Sequence, residues 1–257
     1  MFDHVYVLNM DRRSERLDRF KQEVGASGWP FMEPERFHAI DGDVVPKPKW
    51  YTQQPGAWGC LQSHIHMWIN AMNNGWDSMM IFEDDCVFHE DFSDRIGPFM
   101  QAIPDDWDMI YLGGLARRVT DDKPEKVNDL VWRLFGITGT WAMALRGRIL
   151  PKLYQFFLNM PRERIGHVDR MLCEFHATMK PKVYAPFPWL CGMGGGQSDI
   201  CTRNYQWDHW WHWDPASPEE PQYITQTLLS RVTFSGVEQI GSGAFGGIKM
   251  VNLPASL

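Results

Sequence analysis

Apolar and polar positions fall into readable blocks along most of this chain. His4–Asn9, HVYVLN, is a short β-rich run. Asp11 follows as a helix N-cap, and Leu17, Phe20 and Val24 recur at helical spacing until Gly25 closes the helix. Residues 36–42, RFHAIDG, predict a second short strand ending in an Asp-Gly turn. Residues 43–55 hold three prolines and predict a loop. A helix opens at Gly59, with Leu61, Ile65, Trp68, Ile69 and Met72 on one face, and ends at Asn73-Asn74-Gly75. Residues 79–82 form a buried strand, Phe92–Ala102 a helix, and residues 108–112 another strand stopped by Gly113-Gly114. The polar stretch 117–128 predicts a surface loop or lid. Then come a strand over 139–145, an amphipathic helix over 148–158, a helix over 167–178 and a strand over Val183–Pro186. Strands alternating with helices argue for an α/β fold with a mixed, mostly parallel sheet. There is no internal repeat and no low-complexity linker, so one domain suffices.

Composition narrows this picture. The 257 residues are 44% hydrophobic, enough for a full core and against wholesale disorder. A net charge of −7 argues against long-range attraction to nucleic acid or anionic membrane. The five cysteines (Cys60, Cys86, Cys173, Cys191 and Cys201) include no CxxC pair, and read as reduced thiols rather than a disulfide framework. No apolar run reaches the ~20 residues of a membrane span. The expectation is a cytoplasmic protein with no stable membrane insertion.

The most informative stretch is IFEDDCV. An apolar strand ends on Glu83, Asp84 and Asp85. Crowded like charges are costly unless something neutralises them. At the carboxyl end of a strand in an α/β sheet, that something is commonly a hard divalent cation carrying a phosphate. The stretch therefore points to a metal–diphosphate site, a solvated acidic turn being the other reading. Past residue 200 the chain changes character. WDHWWHWDP packs Trp207, Trp210, Trp211 and Trp213 beside His209 and His212.

Several blocks together resemble glycosyltransferase family 25, which includes bacterial lipooligosaccharide and procollagen galactosyltransferases. VYVLNMDRRSERLDRF resembles the family's opening block and RFHAIDG its second. GAWGCLQSHIHMW resembles its G-x-x-G-C-x-x-S-H block, IFEDD its acidic motif, and WDMIYLGG the strand after it. HVDRML and QSDI are fainter echoes. The likeness covers residues 4–200 or so, in the right order. Met10, between Asn9 and Asp11, and everything after Arg203 match nothing in it.

The resemblance implies a single-domain nucleotide-sugar fold of the GT-A type. Residues 1–203 would form the catalytic domain, and residues 204–257 a C-terminal extension packed on it. Implied is an inverting class of chemistry: hexose transfer, galactose or glucose, from a UDP-sugar donor to an acceptor hydroxyl with Mn²⁺ or Mg²⁺. Acceptors left open are a glycan, a protein hydroxyl and a modified nucleobase. By this analogy Glu83 and Asp85 ligate the metal, and Asp84 holds the ribose or a ligand water. Val7, Leu8 and Asn9 edge the base and ribose pocket, and Arg16 reaches the diphosphate. Ser63 and His64, near a helix start, contact the donor. Asp169 is the implied base, with Asp199 the runner-up. Trp207, Trp210 and Trp211 would form an acceptor platform, or else pack the extension. A non-catalytic sugar-nucleotide-binding relative and a metal-dependent phosphohydrolase are the competing classes.

Overall fold

A computed structural model describes residues 2–117, 121–201 and 203–205. Strand β1 (His4–Asn9) leads through a 3₁₀ turn, Asp11–Arg13, into helix α1 (Ser14–Ser27). Then follow β2 (Glu35–His38), α2 (Pro55–Asn74), β3 (Ser78–Glu83), β4 (Cys86–Phe88) and α3 (Phe92–Ala102). Next are β5 (Met109–Ala116), β6 (Glu125–Lys126), β7 (Val131–Leu134) and β8 (Ile137–Arg146). Helices α4 (Leu150–Leu158) and α5 (Val168–Met179) precede β9 (Val183–Pro186), β10 (Cys191–Met193), β11 (Gly196–Gln197) and β12 (Asn204–Tyr205).

The fold is α/β in three layers. Eight strands form one sheet in the order β2-β1-β3-β8-β5-β9-β7-β6. Along β1, Val5 and Val7 face one side while Tyr6 and Leu8 face the other, the strict period of a strand. One face carries α2, α4 and α5, through Leu61, Ile65, Trp68, Phe157, Leu172 and Phe175. The opposite face carries α1 and α3, through Phe20, Phe92, Ile96 and Phe99. Burial on both faces explains why β3 is apolar without a break over residues 79–82 rather than alternating.

Several details differ from the sequence expectation. The sheet is mixed, but only three of its seven pairings are parallel: β1–β2, β1–β3 and β5–β9. Helix α1 runs through Gly25 and ends at Gly28, whose φ of +68° is the left-handed cap that stops it. Helix α2 starts at Pro55, where a missing N–H costs nothing, and not at Gly59. Strand β5 continues through Gly113-Gly114, and residues 131–134, to which periodicity assigns no element, form β7. Among the described residues, no helix is long and apolar enough to cross a membrane.

Candidate active site

The strands β1 and β3 run parallel with Leu8 beside Glu83, and β8 runs antiparallel with Ala142 beside Phe82. In the strand order β2-β1-β3 the chain leaves β1 to one side for β2 and returns to its other side for β3, so the carboxyl ends of β1 and β3 flank the point where strand order reverses, the place where open α/β sheets form a crevice. The three carboxylates there are treated differently. Glu83 accepts a 2.5 Å hydrogen bond from the Thr140 hydroxyl. Asp84 accepts from Asn9 Nδ2 at 2.7 Å and from Arg16 Nη1 at 3.0 Å. Asp85 Oδ1 is buried with no hydrogen-bond partner among the described residues, and its Oδ2 lies 3.8 Å from Arg16 Nη1.

Electrostatics follow this division. Burial raises the Asp85 carboxyl to about 7, Glu83 and Asp84 add to the rise, and Arg16 opposes it. Burial raises Asp84 as well, against the pull of Arg16 and Asn9. The turn is held from outside by β4 and β10, which pair antiparallel, and by Gly194 N–H donating to the Asp85 carbonyl at 2.6 Å.

Glu83 and Asp85 open on a cavity of about 540 Å³. Asp169, Arg170, His167, Arg117, Cys60 and Thr140 line it too. Asp169 stands in the first turn of α5. Its Oδ2 accepts from Gly139 N–H at 3.2 Å and its Oδ1 from Arg170 N–H at 2.8 Å, so its orientation is set by backbone on two sides. Arg164 pairs with Glu174 instead, leaving Asp169 to the cavity. Burial lowers the His167 imidazole, Asp169 opposing.

The block around α2 has a steric reason. A Cβ on Gly59 would sit 2.3 Å from the Ile40 carbonyl oxygen, and one on Gly56 would sit 1.8 Å from that of Asp199. The first turns of α2 therefore press backbone against backbone. Because α2 begins at Pro55, Ser63 and His64 lie in its interior, not at its amino end. Their expected anion contact through free helix N–H groups is corrected accordingly. Ser63 donates to the Gly59 carbonyl at 2.7 Å and accepts from Ile40 N–H at 2.8 Å. His64 is fully buried, and neither ring nitrogen has a hydrogen-bond partner among the described residues.

The remaining expected donor contacts are spent on the protein. Val7 and Leu8 are buried on opposite faces of the sheet. Asn9 and Asp84 bond each other. Arg16 gives Nη1 to Asp84 and Nη2 to the Gln197 carbonyl. None of these, nor Ser63 or His64, lines the cavity. Asp199 is gripped by Arg13 through two nitrogens and by Arg12, with Arg16 Nη1 at 3.7 Å. Those arginines hold its carboxyl below the usual range although burial opposes them. An acid so engaged is a poor proton acceptor. Trp207, Trp210, Trp211, Trp213 and both C-terminal histidines lie outside the described residues, as does all of the extension beyond Tyr205. Sequence reasoning missed Thr140, Cys60 and the Arg12–Asp41–Asp199 cluster, in which Arg12 Nε meets Asp41 at 2.5 Å. Only Cys60 left a signal, its i,i+4 spacing to His64 on one helix face.

Comparison with known proteins gives a consistent family. A family model described as "Glycosyltransferase family 25 (LPS biosynthesis protein)" matches residues 2–134. Procollagen galactosyltransferase 1 of Danio rerio is 30% identical over 142 residues, 49% of this chain and 23% of that protein. The human protein named Inactive glycosyltransferase 25 family member 3 is 25% identical over 189 residues, 66% of this chain and 31% of that protein. The chain thus matches less than a third of the length of either relative. Among solved structures, mouse xyloside xylosyltransferase 1 in its apo form aligns at a TM-score of 0.38 and 10% identity, over 69% of this chain and 81% of that one.

Proposed function

The chain belongs to glycosyltransferase family 25, and from that premise we propose that it moves a hexose from a UDP-sugar to an acceptor hydroxyl with inversion. One observation carries the reading: Glu83, Asp85 and Asp169 line a single cavity at the carboxyl end of β3. The donor set fits a hard divalent ion such as Mn²⁺ or Mg²⁺. Asp85 has a buried oxygen without a partner among the described residues, and crowding by its neighbours raises its affinity for any positive charge. Glu83 and Asp85 would hold the ion. When bound, such an ion stabilises charge on the departing nucleoside diphosphate.

The chain's own residues supply the rest. Asp169, oriented by Gly139 and Arg170 N–H groups, would take the acceptor hydroxyl's proton. Asp84 would act from behind, bracing Arg16 and Asn9 so that the turn keeps its two outer acids toward the cavity. The galactosyltransferase name of the Danio rerio relative favours galactose. A second reading, donor binding without turnover, draws on the human relative named inactive. Incubation with UDP-galactose and UDP-glucose, with and without Mn²⁺, separates the two. Slow Mn²⁺-dependent release of UDP supports transfer. Saturable donor binding with no release of UDP supports the second reading.

A further inference from the structure

Cys60 and His64 stand one turn apart on α2 and face the end of β3. Cys60 Sγ, a His64 ring nitrogen and a Glu83 carboxylate oxygen all lie within 4.8 Å of one another. Glu83 Oε1 is 3.7 Å from His64 Nε2. In a tetrahedral site with bonds of 2.0–2.1 Å, nitrogen and oxygen ligands stand roughly 3.3 Å apart. The observed spacing is within a small side-chain adjustment of that.

The imidazole is the second, independent sign. It is fully buried, it points into the group, and neither nitrogen has a hydrogen-bond partner among the described residues. Buried imidazole nitrogens are rarely left unpaired. Nothing in the proposed sugar transfer uses Cys60 or His64.

We infer that Cys60, His64 and Glu83 form a binding site for a zinc-class ion, with its fourth position open to the cavity. The donor set decides the class of ion. Thiolate and imidazole suit borderline-soft metals such as Zn²⁺, whereas Mg²⁺ and Ca²⁺ prefer oxygen alone. Three protein ligands with one open position is the arrangement of exchangeable rather than closed structural zinc sites. Binding takes the Cys60 proton, which leaves for solvent. The site shares Glu83 with the hard-ion site proposed above but needs neither donor nor turnover. Zn²⁺ bound here draws Glu83 away from that site, so it antagonises Mn²⁺-dependent chemistry.

Cobalt spectroscopy tests this on the full chain after chelator treatment and dialysis. One equivalent of Co²⁺ should give a thiolate-to-cobalt charge-transfer band and the visible bands of four-coordinate cobalt, and Zn²⁺ should erase both. Cys60→Ser should remove the charge-transfer band, and His64→Gln should weaken cobalt binding at least tenfold. Asp85→Ala should keep the band, which separates this site from the transfer chemistry. Should either α2 variant unfold, Zn²⁺ protection of wild-type Cys60 from alkylation, read by peptide mass, serves in its place. No charge-transfer band in the wild type, the same band in Cys60→Ser, or alkylation of Cys60 unaffected by Zn²⁺ would overturn the site.

Discussion

The side-chain amide of Asn9 donates to Asp84 across 2.7 Å, tying the end of β1 to the end of β3. The same amide reaches the Arg13 carbonyl at 2.8 Å. One residue therefore couples the middle acid to the turn that starts α1. With Arg16 on its other oxygen, Asp84 is turned inward, and only Glu83 and Asp85 remain for the cavity.

Removing Asp84 should therefore damage the fold. Asp84→Ala takes from the nearly buried Arg16 its 3.0 Å carboxylate partner, leaving it the Gln197 carbonyl and the more distant Asp85 and Asp199 carboxylates. Breaking such a pair from one side costs roughly 3–5 kcal/mol. Burial outweighs the pairing at Asp84, whose carboxyl is raised, and Arg16 keeps other partners, so a smaller loss of about 1–3 kcal/mol is expected. Urea denaturation of the two proteins measures it. A loss under ~1 kcal/mol would show that the Asn9–Arg16 clasp is not structural.

Asp85→Ala should do the opposite. It relieves crowding with Glu83 and Asp84 and deletes a buried oxygen that lacks a hydrogen-bond partner among the described residues. Without divalent ions, the melting temperature should hold or rise. Sugar transfer and the Mn²⁺-dependent part of UDP-sugar affinity should vanish. Stability and function part at this residue, as they commonly do in active sites. Undiminished turnover in Asp85→Ala would remove it from the metal site.

Much of this was legible in the chain, and the failures have physical causes. Strands β1 and β9 and helix α3 fall where periodicity puts them, because each buries its apolar positions against the sheet. The start of α2 is not legible because Gly59 looks like a helix opener, while its actual task is to let backbone approach Ile40. Gly25 looks like a stop, yet a Cβ there would meet nothing within 4 Å, so the helix simply passes through. Strand β7 is four residues long and half-buried in alternation broken at Arg133, too short to declare itself. The acidic motif was visible; the different partners of its three acids were not. Asn9 and Asp84 lie 75 residues apart, and Arg13 and Asp199 lie 186 apart. Pairings at that separation leave no local pattern.

Gly59→Ala sets helix propensity against packing. Alanine gains roughly 1 kcal/mol in a helix interior. Its Cβ would meet the Ile40 carbonyl oxygen at 2.3 Å and Gly42 N at 2.6 Å, both backbone atoms that yield only by moving the loop. Overpacking of this kind costs about 1–3 kcal/mol or more. The clash should win, with a net loss of stability. Gly25→Ala, in open space on α1, should instead stabilise. A matched pair of chemical denaturation curves decides, and equal gains in both variants would mean that α2 does not press on residues 40–42.

Asp169→Asn keeps one acceptor oxygen, enough for the Gly139 or the Arg170 N–H but not both, while removing proton acceptance. It should lower kcat by roughly 10²–10⁴-fold with donor affinity nearly intact. Single-turnover rates and donor titration together give the answer. If donor affinity collapses while kcat holds, Asp169 is a binding residue and the base lies elsewhere.

The last prediction concerns pH and lies away from the site. His176 is buried in α5, its ring edge-on to Tyr111 with centroids 5.5 Å apart and its Nε2 3.5 Å from the Tyr111 hydroxyl. Burial pushes its imidazole down to about 3 from an unfolded value of 6.5. As pH falls below 6.5 the unfolded chain takes up a proton that the folded chain refuses until about 3. The contribution of a neutral His176 is thus fully present above 6.5 and drains away through that window as pH falls. The slope is about 1.4 kcal/mol per pH unit. His176→Leu cannot titrate, so its stability should fall less steeply between pH 6 and pH 4 than the wild type's, by up to that slope. Denaturation series at both ends of the window measure the difference. Identical slopes would mean that the imidazole is charged inside the fold, contrary to its apolar surroundings.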